Sequence, residues 1–481
     1  MDTHNLEKRL KRFKFGLCDK FKANMKKIIV AVVIVITCIS FIAITSNEDL
    51  TPIPASQQRF GNADSGFHYI ITGDYLKSGL PLNLYNLALK KEKSNLLNRN
   101  GDNAEVRYDF NVVKADNGEN VVVPNCFQCH AEIFDGKLIL GLGNSTGDFT
   151  KDQKLNSKSL AKLLLTYLKL SPKKYEAAKE FVTVGQTISD QLFTDVVGTN
   201  PADRLAALLV SHRDPLTLAW NEKASVELPK QVIPSDVPAW WLLKKKNAMF
   251  YNGFGRGDFG KFLMGSTLLT IKDTVHAKNV DAHMPDVLAY LYTVEPPKYP
   301  KQVDEPMAQK GKIIFEDNCS RCHGTYGSNG QYPNLLIPEP VIGTDSLLNK
   351  SNYQFSDMIE WYNKSWFSKG DHPAKLAPFN GYIAPPLDGV WITAPYFHNG
   401  SVPTIEAVLN SKLRPTYWTR NFDSTNYDYE KLGWRFQTLS APGNKYVFNT
   451  TLPGYGNYGH YFGDQLTDIE RKAVIEYLKT L

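Results

Sequence analysis

Cys126-Phe127-Gln128-Cys129-His130 and Cys319-Ser320-Arg321-Cys322-His323 are two copies of one pentapeptide, Cys-x-x-Cys-His. Its chemistry follows from its spacing. The two thiols can form thioethers with the vinyl groups of a haem, and the adjoining imidazole then falls beneath the iron as its proximal ligand. Zinc sites also use Cys-x-x-Cys pairs. Here, however, the pairs lie in different halves of the chain and each carries its own His, which thioredoxin-like redox motifs do without. The spacing predicts two covalently bound haem c groups. Cys126, Cys129, Cys319 and Cys322 are the attachment points, and His130 and His323 are iron ligands.

The rest of the chain must position these groups. Its 481 residues allow two or three domains, and 42% hydrophobic with 22% charged content is ordinary for a globular protein. Much of the net charge of +6 sits in the first 27 residues, on Lys8, Arg9, Lys11, Arg12, Lys14, Lys20, Lys22, Lys26 and Lys27. The remainder is near neutral, which leaves nucleic-acid binding without support. Ile28 to Thr45 is apolar and uncharged. At about 18 residues it is just long enough to cross a bilayer. The basic flank before it predicts a cytoplasmic N-terminus and export of the chain from Ser46 onward. The expected location is the periplasmic side of the bacterial inner membrane, anchored by this helix, with cleavage and release as the alternative. Cys18 and Cys38 belong to neither pentapeptide, so no exported cysteine is left for a disulfide.

Five segments are expected: a basic tail (1–27), an anchor or signal helix (28–45), a linker (46–65), an N-terminal haem domain (66–297) and a C-terminal cytochrome c domain (298–481). Val121-Val122-Val123 reads as a strand before the first pentapeptide. Helical apolar spacing marks Ser159 to Leu170, Pro285 to Val294, Glu305 to Asn318 and Thr467 to Leu481. Thr467 and Glu470 form a capping-box pair, and Pro296-Pro297 marks the domain boundary. The fold class predicted is mainly α: two c-type cytochrome domains with long loops, preceded by one N-terminal transmembrane or signal helix.

Beyond the pentapeptides the chain resembles the bacterial di-haem cytochrome c peroxidase superfamily, which includes the methylamine dehydrogenase maturation enzyme and the rubber oxygenases. The segments that carry the likeness are Thr393-Ala394-Pro395-Tyr396-Phe397-His398-Asn399-Gly400-Ser401, Phe250-Tyr251-Asn252-Gly253, Ala289-Tyr290-Leu291 through Pro300, and Gly456-Asn457-Tyr458-Gly459-His460-Tyr461-Phe462-Gly463. The last of these looks closest to the rubber-oxygenase-like branch. The resemblance implies a six-coordinate C-terminal haem that transfers electrons and an N-terminal haem with an open or openable position. Three departures from the peroxidase pattern stand out. The region where peroxidases place a Met ligand reads Asn410-Ser411-Lys412, so His460, in the loop before the last helix, becomes the expected partner of His323. His398 is the runner-up ligand and, by resemblance, a haem-facing residue near a propionate. Tyr251 stands where peroxidases bridge the haems with Trp, so it is the expected relay, with Trp240 and Trp241 nearby as substitutes. No distal Glu follows it: from Asn252 to Ile271 the only carboxylate is Asp258, among Phe259, Phe262, Leu263, Met264, Leu268 and Leu269. Phe262 therefore marks an apolar distal pocket, with plain core packing as the alternative. Calcium between the domains is common in the peroxidases, and no motif here speaks for or against it.

Three functions are expected on this basis. The first is a rubber-oxygenase-like oxidoreductase that activates dioxygen or peroxide at its first haem, with an apolar alkene as the concrete substrate. The second is a cytochrome c peroxidase. The third is a membrane-tethered electron carrier without catalysis. A small electron-donor or acceptor protein or the quinol pool is the expected partner. No zinc-protease motif or phosphate loop occurs.

Overall fold

The computed structural model describes residues 50–89, 93–151, 166, 168–354 and 356–481. The predicted basic tail and anchor helix lie outside these residues, as does most of the helix expected over Ser159 to Leu170. Among the described residues no helix is long and apolar enough to cross a membrane.

The helix Glu305–Asn318 forms where predicted. Asp304 caps it by accepting from the Met307 amide at 3.1 Å, with Pro306 in its first turn. Ala308, Gly311 and Phe315 share one buried face, which packs on the terminal helix Asp468–Leu478. That second helix carries the expected capping box between Thr467 and Glu470. The two axes come very close at Gly311, where a Cβ would lie 1.8 Å from the Ala473 carbonyl oxygen. A second pair repeats the device. Ala63–Thr72 crosses Met284–Thr293 at Gly66, whose Cβ would lie 1.9 Å from the Asp286 carbonyl oxygen.

The mainly-α expectation is overturned. Strand makes up 15% of the structure against 39% helix, in six sheets of two or three strands among the described residues. Only Asn120–Pro124 was legible as a strand; it is the centre of a three-stranded sheet, paired with Phe110–Lys114 and Leu80–Pro81. The others are two to five residues long, too short for a period-two pattern to emerge. Several exist only through distant pairing, as when Thr51–Pro52 joins Leu335–Pro338. The hairpin of Ala131–Phe134 with Lys137–Leu140 turns on Asp135-Gly136, both at positive φ.

Residues Thr51–Leu481 form one compact unit. Its main apolar cluster draws on both halves of the chain, including Phe127, Trp240, Trp241, Phe315, Trp391 and Trp434. Trp241 ties the halves by donating to the Asp388 carbonyl at 2.8 Å. The segment read as a linker carries Arg59, whose guanidinium pairs with Asp258 at 2.5 Å and Asp281 at 2.7 Å.

Gly311→Ala is expected to destabilise the fold by about 2–3 kcal/mol, because the methyl group has only backbone to displace. Gly185→Ala, mid-helix with nothing within 4 Å, should instead stabilise it slightly. Thermal unfolding of the two variants checks this; equal midpoints would mean the 305–318 and 468–478 helices separate freely.

Candidate functional site

Each pentapeptide forms a single helical turn, Phe127–His130 and Ser320–His323. The second begins where Glu305–Asn318 ends: the Cys319 amide donates to the Phe315 carbonyl at 2.8 Å, so the helix pair sets the position of the thiols. The first follows the strand Asn120–Pro124, and the Asn125 side chain accepts from the Phe127 amide at 2.9 Å.

Around His323 the geometry would suit a metal ligand. Its Nδ1 lies 2.8 Å from the Pro385 carbonyl oxygen, so Nδ1 donates and Nε2 is left for a metal. The His460 ring faces it, with centroids 6.1 Å apart. Two imidazoles on opposite sides of one metal, at roughly 2 Å per bond, hold their centroids about 6–6.5 Å apart. Burial pushes the His323 pKa down. Burial, then His323 and Arg414, brings His460 down to about 3. Both rings keep some accessible surface while protein surrounds them, as side chains facing an internal space do.

His460 adopts a left-handed backbone, φ 48°, and its amide donates to the Ile342 carbonyl at 2.7 Å. Arg414 holds the loop there. Its guanidinium donates to five carbonyls, Ala407, Val408, Asn457, Gly459 and His460, at 2.6–3.2 Å. Nothing in the sequence signals this clamp, since a lone Arg in a loop carries no pattern.

The first pentapeptide is built differently. The His130 ring stacks on Trp240 at 4.9 Å. Burial lowers its pKa to about 4, opposed by the Pro238 carbonyl. Among the described residues the His130 ring meets no second imidazole. Nearby, Arg420 lies over Trp434, donates to the Ser145 carbonyl and leaves Nη1 buried without a partner. That spare donor suits an anionic group such as a haem propionate. Both pentapeptides thus fit haem c. Among the described residues no cluster of three or more His, Cys, Asp or Glu is arranged to hold a bare metal ion.

Between the pentapeptides lies a polar cluster. The Tyr251 hydroxyl donates to Asp236 Oδ2 at 2.7 Å, and its ring sits 6.5 Å from His398. The Asp236 amide donates to the His398 carbonyl at 2.7 Å. His398 is buried and stacks on Tyr382 at 4.4 Å, so it does not compete with His460 for the face of His323. Burial raises Asp236 to about 7, against the Tyr251 hydrogen bond.

Phe262 lines an apolar cavity of about 170 Å³ together with Phe250, Phe254, Leu268, Met358 and Tyr362. Phe259 and Met264, read as candidates for the same wall, are buried core instead. Asp258 caps the short helix Phe259–Leu263 and pairs with Arg59. Asp203, which no sequence pattern singles out, reaches the cavity from the helix Ala202–Ser211.

Arg414→Lys should free the 457–460 loop, because an ammonium cannot serve five carbonyls. The low-spin signal of a haem held by His323 and His460 would then fall by half or more in electron paramagnetic resonance. The carboxyl of Asp236 titrates near 7 in the fold and near 3.9 when unfolded. Its contribution to stability is therefore full below about pH 4 and is lost as pH rises to 7. Asp236→Asn keeps the bond to Tyr251 and removes that loss. The variant's advantage in urea unfolding should grow between about pH 4 and 7 and then level off.

Comparison with known proteins agrees with part of this chemistry. A family model described as RoxA-like, cytochrome c-like matches residues 381–419, a segment that holds Pro385, His398 and Arg414. Two uncharacterized proteins of Sinorhizobium fredii (strain NBRC 101917 / NGR234) are similar. Protein y4iJ is 28% identical over 253 residues, 39% of this chain and 41% of its own length. Protein y4iM is 24% identical over 305 residues, 54% of this chain and 68% of its own. The chain thus spans less than half the length of the first. It carries a RoxA-like cytochrome c segment, which implies covalently bound haem c and is consistent with an oxidoreductase.

Proposed function

We propose that the chain is an exported di-haem oxidoreductase of the rubber-oxygenase-like kind. Dioxygen or peroxide is activated at the first pentapeptide, and electrons pass through the second. When bound, haem c supplies one-electron chemistry and an iron site for oxygen ligands. The remaining roles fall to the chain.

The observation that carries this reading is an asymmetry. His323 and His460 stand 6.1 Å apart and together would hold one iron. His130 has Trp240 beside it and no facing imidazole among the described residues, which leaves a position for an oxidant. The apolar cavity behind Phe262 suits a largely apolar substrate. The Tyr251 ring provides an aromatic step between the centres, and Asp236, close to neutrality in its pKa, holds the proton its hydroxyl would share. A small cytochrome or the quinol pool is the proposed electron partner, at the outer face of the inner membrane.

Carbon monoxide titration of the reduced, haem-loaded protein tests the reading. About half of the haem should bind, and His460→Ala should open the rest. Oxygen uptake with an unsaturated hydrocarbon should then require the half that binds in the wild type. Two closed haems would make the protein an electron carrier; sustained peroxide turnover with a reduced cytochrome would make it a peroxidase.

A further inference from the structure

Asp203 sits in the first turn of the helix Ala202–Ser211 and lines the cavity behind Phe262. No described side chain or amide binds its carboxyl, and burial alone raises its pKa to about 6. It keeps accessible surface although protein surrounds it, so the carboxyl faces the cavity space. The cations nearby are turned elsewhere. Arg204 donates to the carbonyls of Pro229 and Gln231. Lys261 pairs with Asp281 at 2.8 Å and lies 3.7 Å over the Trp366 ring. The Tyr362 ring, held between Phe262 and Phe367 at 5.3 and 5.5 Å, lines the same cavity, but its hydroxyl is buried and does not open onto it. An unpaired carboxyl in apolar surroundings costs stability. Its place on an otherwise apolar cavity points to an occupant that satisfies it.

We propose that Asp203 is the recognition residue of this cavity. It accepts a hydrogen bond from the donor end, a hydroxyl or protonated amine, of an otherwise apolar ligand. The cavity of about 170 Å³ holds one small ring or a short chain segment, since an engineered apolar cavity of about 150 Å³ takes up benzene. The inference rests on the cavity being the substrate site of the proposed oxidoreductase, and it narrows the substrate from any apolar alkene to one that carries a polar end.

Toluene and benzyl alcohol are the probes, matched in shape and different in one hydroxyl. Dissociation constants come from NMR titration of the full-length, haem-loaded protein. Asp203→Leu should weaken benzyl alcohol about tenfold while leaving toluene unchanged or tighter. Asp203→Asn, which keeps the side chain's shape but only a neutral acceptor, should weaken benzyl alcohol about threefold and serves as the test if the Leu variant fails to fold. Parallel changes for both probes, or none for benzyl alcohol, would overturn the proposal. Carbon monoxide uptake is read on the same samples. Uptake without discrimination between the probes sinks this proposal alone; discrimination without uptake sinks the oxidoreductase reading and leaves the recognition role of Asp203 standing.

Discussion

An imidazole serves a metal only while it is neutral, and only if something other than the metal fixes its plane. Much of this chain answers that requirement. Burial brings the pKa of His130 down to about 4 and that of His460 to about 3, and lowers that of His323, so all three favour the neutral form. A proline carbonyl holds one of the rings, where Pro385 accepts from His323 Nδ1 at 2.8 Å. Proline is apt here: it accepts at its carbonyl and has no amide to satisfy in the same crowded space. His460 has no such carbonyl. Its position comes from a left-handed backbone and the five donors of Arg414, a stiffer and more local solution.

The helices beneath these rings are fixed by close approach. At Gly311 and Gly66 two helix pairs cross at distances that a Cβ would forbid. Gly311 lies two helical turns before Cys319, so the crossing with Asp468–Leu478 sets both the thiols and the start of the terminal helix. The loop that bears His460 enters that same terminal helix. One packing contact thereby governs the proximal side and the distal side of a single proposed centre.

How much the sequence disclosed depends on how local each signal is. The pentapeptides, the capping box of Thr467 and Glu470, and the helix Glu305–Asn318 are encoded within a few residues, and they were legible. His460 was singled out by its place just before a terminal helix, and the structure sets its ring 6.1 Å from that of His323. Phe262 was found by the apolar run around it, although Phe259 and Met264 in the same run turned inward to the core. The short strands were not legible, since a two-residue pairing such as Thr51–Pro52 with Leu335–Pro338 leaves no periodicity. Asp203, Asp236 and Arg414 were missed for a related reason. Each sits in an unremarkable local sequence and acquires its role from groups far away in the chain, as Asp236 does from Tyr251 and His398.

The polar cluster between the pentapeptides gives the proposed electron path a physical form. The Tyr251 hydroxyl reaches Asp236, the Asp236 amide reaches the His398 carbonyl, and His398 stacks on Tyr382. The Tyr382 hydroxyl donates to the Asp345 carbonyl at 2.5 Å, and the Asp345 side chain accepts from the Gly456 amide at 3.0 Å, four residues before His460. Contact is continuous from the aromatic ring that replaces the expected Trp to the loop that carries the distal imidazole. A phenol differs from an indole in one respect that matters here: its oxidation releases a far more acidic proton, which must have somewhere to go. Burial has placed the pKa of the acceptor, Asp236, at about 7, where it can take that proton and return it. A fully solvated carboxylate, with a pKa of about 3.9, would be a much poorer acceptor. On the proposed path, Tyr251 in place of Trp and the raised Asp236 would act as one change, tying electron transfer to a proton that stays in the interior.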